Sequence, residues 1–490
     1  MSRPEFDLLI KGVRVVRPQG NAVHAADIAV AGGRIAQVAP AIDVTRAKEV
    51  FDGKGRLAFP GVVDAHMHSG IYSPLEEDAV SESQAAAMGG VTSSLNYFRT
   101  GQYYLNKGGR YAKFFPEVLE LSKNRFHVDY GYHLAPMDST HIDEIPMLIE
   151  KHGVASFKIF MFYGSHGLHG ASDSQREFLM ISKDARYDYA HFEFVMRGIQ
   201  AAREQMPGRA RQISLSLHCE TAEIMTAYTK IVEKDKSLKG LAAYSASRPQ
   251  HSEGLAVFIA SYLAHETALP NINLLHLSSR KAVQAALMMA EVFPHIDFRR
   301  EVTIGHLMLD TTSKAAELAK VNPPIRPRED LEFLWQALLA EELDWVVSDH
   351  ACCRHEMKIP KRYFGNIWMA KSGFGGTEYL LPALVSEGTR RGMSYNHMAR
   401  VTSWNPAQRF GLNRKGDIAA GFDADIALVD PARSWTIAAK DSPSTQGYTP
   451  FEGLEMSARV DATFLRGMKI FEDGQVIGKP RGEYLHRPTS

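Results

Sequence analysis

Two closely spaced histidines, His66 and His68, follow an apolar run and are candidate metal ligands. Side chains alternate between the two faces of a β-strand, so these imidazoles would point to one side and Met67 to the other. Two imidazoles on one side of a strand end suit zinc. A single His-x-His is a weak signal, because ordinary surface or core histidines also produce it. Its weight depends on the residues further along the chain.

Four more side chains able to bind a metal end other predicted strands: Lys158, His218, His276 and Asp349. Each has an ordinary interpretation, since a histidine at a strand end is often just a hydrogen-bonded polar residue and Asp349 could cap a helix. Lys158 is the unusual one, because it lies between Phe157 and Ile159 and a buried ammonium group is unfavourable. Reaction with CO2 would convert it into a carbamate that can bridge two cations. Together the six residues favour a metal site.

The elements between these residues predict a (β/α)8 barrel of the α/β class. Eight β-rich runs alternate with helical stretches such as 115–123, 142–151, 281–293 and 330–341, which favours a parallel sheet. Active sites of such barrels lie at the carboxyl ends of the strands, so the six candidates would converge there. The predicted strands are residues 58–65, 91–98, 128–134, 154–160, 213–218, 272–277, 301–304 and 344–348.

The two ends of the chain predict one small β-sandwich into which the barrel is inserted. Short strands separated by glycine and aspartate turns occur both before residue 52 and after residue 424. We therefore divide the chain into an N-terminal contribution to the sandwich (1–56), the barrel (57–412), a C-terminal contribution to the sandwich (413–476) and a tail (477–490) that we expect to be unstructured.

Composition excludes several classes of function. Among 490 residues, 56 Lys and Arg balance 56 Asp and Glu, which favours neither nucleic acid nor an anionic membrane as a partner. Three cysteines do not form a disulfide framework. The first residues lack the hydrophobic core of a signal peptide, and the longest apolar stretch, 255–264, is too short to span a membrane. We expect a cytoplasmic protein that acts on a small molecule.

Several motifs resemble those of the amidohydrolase superfamily, and specifically of its dihydropyrimidinase/hydantoinase branch. The most specific are Phe-Lys-Ile-Phe-Met-Phe-Tyr at 157–163 and Asn-Pro-Pro-Ile-Arg at 322–326. The His-x-His at 66–68, His-Cys-Glu at 218–220 and Ser-Asp-His at 348–350 are shared with wider relatives. The matching stretches extend over nearly the whole chain.

The resemblance implies two Zn2+ per subunit. His66, His68 and Asp349 would hold one ion and His218 and His276 the other, with N6-carboxylated Lys158 and a hydroxide as bridges. The hydroxide would attack the carbonyl of a cyclic amide, ureide or imide, with Asp349 as general base. Tyr163 would hydrogen-bond the oxyanion, and main-chain groups of Thr303 and Asn322 would bind the amide edge of the substrate. A homotetramer is also implied.

The sequence departs from the family pattern around the predicted site. These departures leave the predicted metal ligands in place but put the family's usual substrate in doubt. The segment after His68 is not the usual apolar one, and residues 301–306 lack the family's proline. Sixty positions separate Lys158 from His218, where a strand–helix–strand unit needs about 30. Allantoinase, dihydroorotase and other lactam or amide hydrolases stay open as alternatives. The Arg-Glu-Pro signal that the first two tend to carry is absent, which favours the others.

Two alternatives of other kinds are disfavoured. A non-catalytic scaffold homologue would lack the metal ligands, and a mononuclear deaminase would not need Lys158 in its apolar surroundings. Residues 71–75, 97–104 and 161–169 are expected to form loops that gate the mouth of the barrel. We interpret three further histidines as loop residues and two cysteines as packing or substrate contacts rather than ligands: His166, His169, His191, Cys352 and Cys353.

Overall fold

Eight parallel strands form the central barrel of the protein, which a computed structural model describes over residues 4–164 and 175–489. Each strand pairs with the next in chain order. The barrel closes where His68 N donates to the carbonyl of His350 at 2.7 Å, beside a bridge between Met67 and His350. The predicted fold class is confirmed. The barrel strands are Val62–Met67, Val91–Phe98, Asp129–Leu134, Ser156–Phe160, Ser214–His218, Asn271–Leu274, Asp297–Thr303 and Trp345–Val347.

The single strand predicted at 58–65 is wrong, because the structure divides it at Gly61. Leu57–Pro60 pairs with Phe6–Val15 and Ile426–Asp430 in a second sheet, whereas Val62–Met67 begins the barrel. A Cβ atom on Gly61 would lie 2.2 Å from Thr92 Oγ1, so only glycine allows this close approach. Residues on both sides of Gly61 are fully buried, and hydropathy therefore does not mark the boundary.

Both chain ends together form a separate β-sheet domain, as predicted, and its strands make one nine-stranded sheet where we expected a small β-sandwich. Its interior is apolar and includes Ile10, Ile28, Leu428 and Phe464. Trp435–Thr436 and Glu455–Met456 form a separate short pair. The strands of the large sheet, in spatial order, are Gln475–Val476, Met468–Glu472, Arg459–Leu465, Ile426–Asp430, Leu57–Pro60, Phe6–Val15, His24–Ala31 and Arg34–Ala39, with Ala47–Asp52 also paired to Phe6–Val15.

Helices surround the barrel and bury one face each. Arg280–Val292 is typical: Ser279 caps it by accepting from Ala282 N, and its buried positions, Ala282, Val283 and Ala286, recur at helical spacing. The α-helices are Leu75–Met88, Tyr111–Ser122, Ser139–Asp143, Ile145–His152, Gln175–Leu179, Tyr189–Gln205, Ala222–Val232, Gly240–Ser247, Gln250–Glu266, Arg280–Val292, Ile304–Met308, Arg328–Leu339, His355–Lys358, Leu380–Arg390, Tyr395–Ala399 and Asn405–Arg409.

The C-terminal segment packs on the barrel, contrary to the expectation of an unstructured tail. Tyr484 bridges to Tyr130, and its hydroxyl donates to the carbonyl of His152 at 2.6 Å. The Arg487 side chain is fully buried and donates to Ser156 Oγ at 2.8 Å. Main-chain hydrogen bonds also anchor the segment: Leu485 N donates to the carbonyl of Tyr130 at 2.7 Å, and Arg487 N donates to that of Gly153 at 3.1 Å.

No helix within the described residues combines the length and the apolar character that crossing a bilayer requires.

Candidate metal centre

Three predicted ligands bring their donor atoms to one point at the carboxyl end of the barrel. Asp349 Oδ1 lies 3.2 Å from His66 Nε2 and 3.4 Å from His68 Nε2. The donor atoms of the three residues all lie within 4.8 Å of one another. The two imidazoles are on the same side of their strand, as the alternation of side chains requires. This spacing suits a single divalent cation.

Lys158 lies beside this group and is almost completely buried. Its Nζ donates to His66 Nε2 at 3.1 Å and sits 4.1 Å from the centre of the Tyr97 ring. Burial lowers the pKa of Lys158 to about 7, although the carboxylates of Asp349 and Glu301 oppose the shift. The uncharged amine, the form that can react with CO2, is therefore well populated near neutral pH.

His218 and His276 form the other half of the group, with ring centres 4.2 Å apart. His276 also stacks on His66 at 5.3 Å. His276 Nδ1 is buried and has no hydrogen-bond partner among the described residues. His276 and Asp349 have φ angles of 34° and 54°, in the left-handed region that bulky residues rarely adopt. Such strained residues cluster at functional sites.

The outward-facing nitrogens of three imidazoles are held by neighbouring side chains. His66 Nδ1 donates to Glu301 Oε1 at 2.7 Å, and His218 Nε2 donates to Glu220 Oε2 at 2.7 Å. His68 Nδ1 lies 2.8 Å from the Tyr104 hydroxyl. Metal-binding histidines usually have such a partner, which fixes the ring and leaves the other nitrogen for the ion.

The carboxylates of Glu301 and Glu220 are themselves held firmly. Glu301 accepts from Trp345 Nε1 at 2.9 Å and from His276 N at 3.1 Å. Glu220 accepts from Arg248 Nε at 2.9 Å. Burial alone would raise the pKa of Glu220, but the Arg248 charge and the His218 hydrogen bond outweigh it and hold the pKa at about 2. Glu220 therefore stays ionised and orients His218.

The donor set fits a pair of divalent cations. Imidazole nitrogens and carboxylate oxygens are the usual zinc ligands, and the orphaned buried nitrogen of His276 is a donor that a metal ion would satisfy. Burial alone would raise the pKa of Asp349, but the neighbouring His66 and His68 outweigh this effect. The pKa of Asp349 is therefore well below its usual range. Asp349 is therefore ionised and able to act as a ligand.

A cavity of about 60 Å³ lies against this group. Its lining includes Tyr163 and Asn322, two of the predicted substrate contacts, but among the described residues it does not include Thr303. Thr303 ends the seventh barrel strand, and its Oγ1 accepts from His306 N at 3.1 Å. The structure thus brings Tyr163 and Asn322 to the cavity, whereas Thr303 is not among the described residues that line it.

Some residues of the predicted gate segments reach the cavity. Ile71, Tyr72, Tyr104, Phe162 and Tyr163 line it, whereas Tyr97 and Phe98 belong to a barrel strand. Residues 165–169 of the third segment, with His166 and His169, lie outside the described residues.

The remaining residues that we excluded as ligands are buried. The loop assignment of His191 is wrong: it lies in the first turn of the helix Tyr189–Gln205, and its Nε2 contacts the carbonyl of Pro136 at 3.0 Å. Cys352 and Cys353 are both buried, and Cys352 Sγ lies 3.5 Å from Thr445 Oγ1.

No individual role was predicted for four residues around the site: Glu220, Glu301, Tyr104 and Arg99. Glu220 follows His218 by two positions, and this spacing was an available signal. Glu301 begins the predicted seventh strand, and Arg99 and Tyr104 both lie in the predicted gate segment 97–104. Their contacts join residues far apart in the chain, such as His66 with Glu301, and spacing alone cannot indicate them.

Comparison with known proteins agrees with this geometry. The model of a family described as "Amidohydrolase family" matches residues 276–470. An allantoinase of Rubrobacter xylanophilus is 32% identical, over 98% of this chain and 97% of its own length. The dihydropyrimidinase structure from Brevibacillus agri NCHU1002 has a TM-score of 0.83 at 24% identity, with 98% of each chain covered. The D-hydantoinase from Bacillus sp. AR9 has a TM-score of 0.83 at 26% identity, with 99% of this chain and 100% of that chain covered.

The chain therefore belongs to the amidohydrolase family, and it is a hydrolase that acts on carbon–nitrogen bonds in cyclic amides. The sequence-based prediction of the family is confirmed. Within the family it is similar both to proteins named allantoinase and to solved dihydropyrimidinases and hydantoinases.

Proposed function

We propose that this protein is a binuclear zinc hydrolase that opens the ring of a cyclic ureide, with carboxylated Lys158 between the two ions. The observation that carries the proposal is the contact of Lys158 Nζ with His66 Nε2, beside the carboxylate of Asp349. A buried lysine whose amine faces metal-binding groups is hard to explain as a free ammonium. As a carbamate it would supply the negative charge that two cations need.

Each residue of the group has a place in this proposal. His66, His68 and Asp349 would hold one ion, and His218 and His276 the other. When bound, the two ions would lower the pKa of water so that it is nucleophilic near neutral pH, and they would polarise the scissile carbonyl. Asp349 would take the proton of the attacking water and return it to the leaving nitrogen. Tyr163 would donate a hydrogen bond to the developing oxyanion.

Replacing Tyr163 by phenylalanine is expected to lower kcat about a hundredfold, because one oxyanion donor is lost. KM for the same substrate should change little, since the hydrogen bond forms mainly in the transition state. Steady-state kinetics of zinc-loaded Tyr163→Phe tests this. Tyr187→Phe is the matched control: its hydroxyl accepts from Phe160 N at 2.9 Å, and among the described residues it does not line the cavity. Full turnover of Tyr163→Phe would contradict the role.

The hydantoin ring is the substrate class that the relatives favour. Allantoin is a hydantoin with a ureido substituent, so the name of the R. xylanophilus relative and those of the solved hydantoinases point to related rings. The absence of the Arg-Glu-Pro signal disfavours allantoin as the substrate. The 32% identity to an allantoinase over 98% of this chain favours it. We therefore place allantoin and 5-substituted hydantoins ahead of dihydropyrimidines, dihydroorotate and other lactams.

The experiment is a panel of rings presented to zinc-loaded protein. Allantoin, hydantoin, a 5-substituted hydantoin, dihydrouracil, dihydroorotate and a simple lactam are compared by kcat/KM, with metal-free protein as the control. We expect ring opening of at least one hydantoin and none without metal. Turnover of no ring, or deamination of an exocyclic amine instead, would refute the proposal. The tetramer and the cytoplasmic location expected from the sequence stay predictions.

A further inference from the structure

A buried arginine lies directly behind the cavity, and among the described residues no carboxylate forms an ion pair with it. Arg99 follows the strand Val91–Phe98 and is only 1% exposed. Its charge is surrounded by aromatic faces, with Cζ 5.4 Å from the Tyr104 ring centre, 5.3 Å from Tyr163 and 4.9 Å from Phe178. A buried cation without a counter-ion lowers the stability of the fold, so we looked for a functional role that would explain Arg99 at this position.

The hydrogen bond from Arg99 excludes one direction for the Tyr163 hydroxyl proton. Arg99 Nε donates to the Tyr163 hydroxyl oxygen at 3.2 Å, and Nη1 donates to the carbonyl of Thr100 at 2.9 Å. A guanidinium has donors and no acceptor, so the phenol oxygen must accept this bond. Its own proton must then point away from Arg99. Tyr163 lines the cavity, where that proton can meet a substrate oxygen.

We propose that Arg99 is a positioning residue: it holds Tyr163 with the hydroxyl proton directed into the cavity, and its charge favours the negative charge that develops there. This inference rests on the proposed function. The positive charge acts through a low-dielectric interior, so it is felt more strongly than it would be in water. Burial raises the pKa of Tyr163 and the charge of Arg99 opposes that rise, which keeps the phenol a better donor.

The neighbouring turn supports a positioning role for this arginine. Tyr103, Tyr104 and Asn106 have φ angles of 64°, 52° and 51°, a strained conformation for non-glycine residues. The turn places the Tyr104 ring beside Arg99 and its hydroxyl 2.8 Å from His68 Nδ1. Arg99 thus contacts both the tyrosine that faces the substrate and the tyrosine that supports a metal ligand.

A double-mutant cycle tests whether Arg99 acts through Tyr163. We expect Arg99→Met to lower kcat about tenfold with little change in KM, as is common for groups that orient a catalytic residue. In the Tyr163→Phe background the same substitution should change kcat less than about twofold, because the hydroxyl it orients is gone. Arg99→Lys, which keeps the charge, should retain more activity than Arg99→Met. The substrate is whichever ring of the panel is opened fastest.

Controls separate this role from a structural one. Arg409→Met removes another buried arginine, one that donates to Asp297 at the opposite end of the barrel; its effect on kcat should be the same with and without Tyr163. Zinc content should be equal in all variants. Independent, multiplying effects of Arg99→Met and Tyr163→Phe would overturn the inference, as would loss of zinc from Arg99→Met.

If the wild-type protein opens no ring, the proposed function fails. In that case the free energy of unfolding is measured for Arg99→Met, Tyr163→Phe and the double variant. Additive effects of the two substitutions would overturn the inference, and non-additive effects would support the positioning contact.

Discussion

Lys158→Ala is expected to bind little zinc and to lose ring-opening activity to at most about a thousandth of the wild-type kcat/KM. The reason is charge. Without the carbamate, two divalent cations would share a buried site with Asp349 as the only close anionic ligand among the described residues, because Glu301 and Glu220 are engaged with His66 and His218. Metal analysis of the purified variant, together with its kinetics, measures both losses.

A short carboxylic acid should restore some of the activity of Lys158→Ala. Acetate or propionate can occupy the space left by the side chain and replace the bridging carboxylate, so zinc content and kcat should rise together with its concentration. Lys358→Met is the matched control. Burial also lowers the pKa of Lys358 to about 7, but its Nζ donates to the carbonyls of Lys320 and Gly373. This control should keep its zinc and show no rescue; full zinc content in Lys158→Ala would refute the carbamate bridge.

Asp349→Asn is expected to lower kcat about a thousandfold or more, because we propose that this residue is both a metal ligand and the proton acceptor. The carboxylate is ionised, since His66 and His68 hold its pKa far below the usual range despite burial. An amide keeps the shape but neither takes a proton nor carries charge. Asp129→Asn serves as the control, because this buried aspartate pairs with Lys415 at 2.8 Å and begins a barrel strand, away from the carboxyl end. It should lower stability and leave kcat nearly unchanged.

Metal analysis distinguishes the two roles assigned to Asp349. If Asp349→Asn retains two zinc ions and still loses turnover, the proton-transfer role accounts for the loss. Activity close to that of the wild-type protein with full zinc would mean that another group takes the proton.

The barrel and the grouping of the six candidate ligands at its carboxyl end could be predicted from the sequence because both leave local signals. Buried parallel strands read as apolar runs, and the polar residue that ends each run must face the carboxyl end. The division at Gly61 leaves no such signal, because the strands on its two sides are equally buried. The order of the C-terminal segment depends on main-chain hydrogen bonds to distant residues, such as that of Leu485 N to Tyr130, and on the burial of Arg487, and none of these contacts leaves a local signal.

The side chains that hold the candidate ligands in place could not be predicted, because those contacts join distant parts of the fold. Glu301 meets His66 from a strand 235 residues later, and Tyr104 meets His68 only through a strained turn. Arg99 has no local pattern that distinguishes it from a surface arginine. Each partner becomes visible only when the tertiary structure is known.

A crystal structure of zinc-loaded protein, grown in the presence of bicarbonate, would show whether Lys158 is carboxylated and lies between two cations, as we propose. We expect a planar carboxylate extension on Lys158 Nζ and two anomalous zinc peaks, one near His66, His68 and Asp349 and the other near His218 and His276. A bare amine on Lys158 with one zinc peak or none would contradict this proposal.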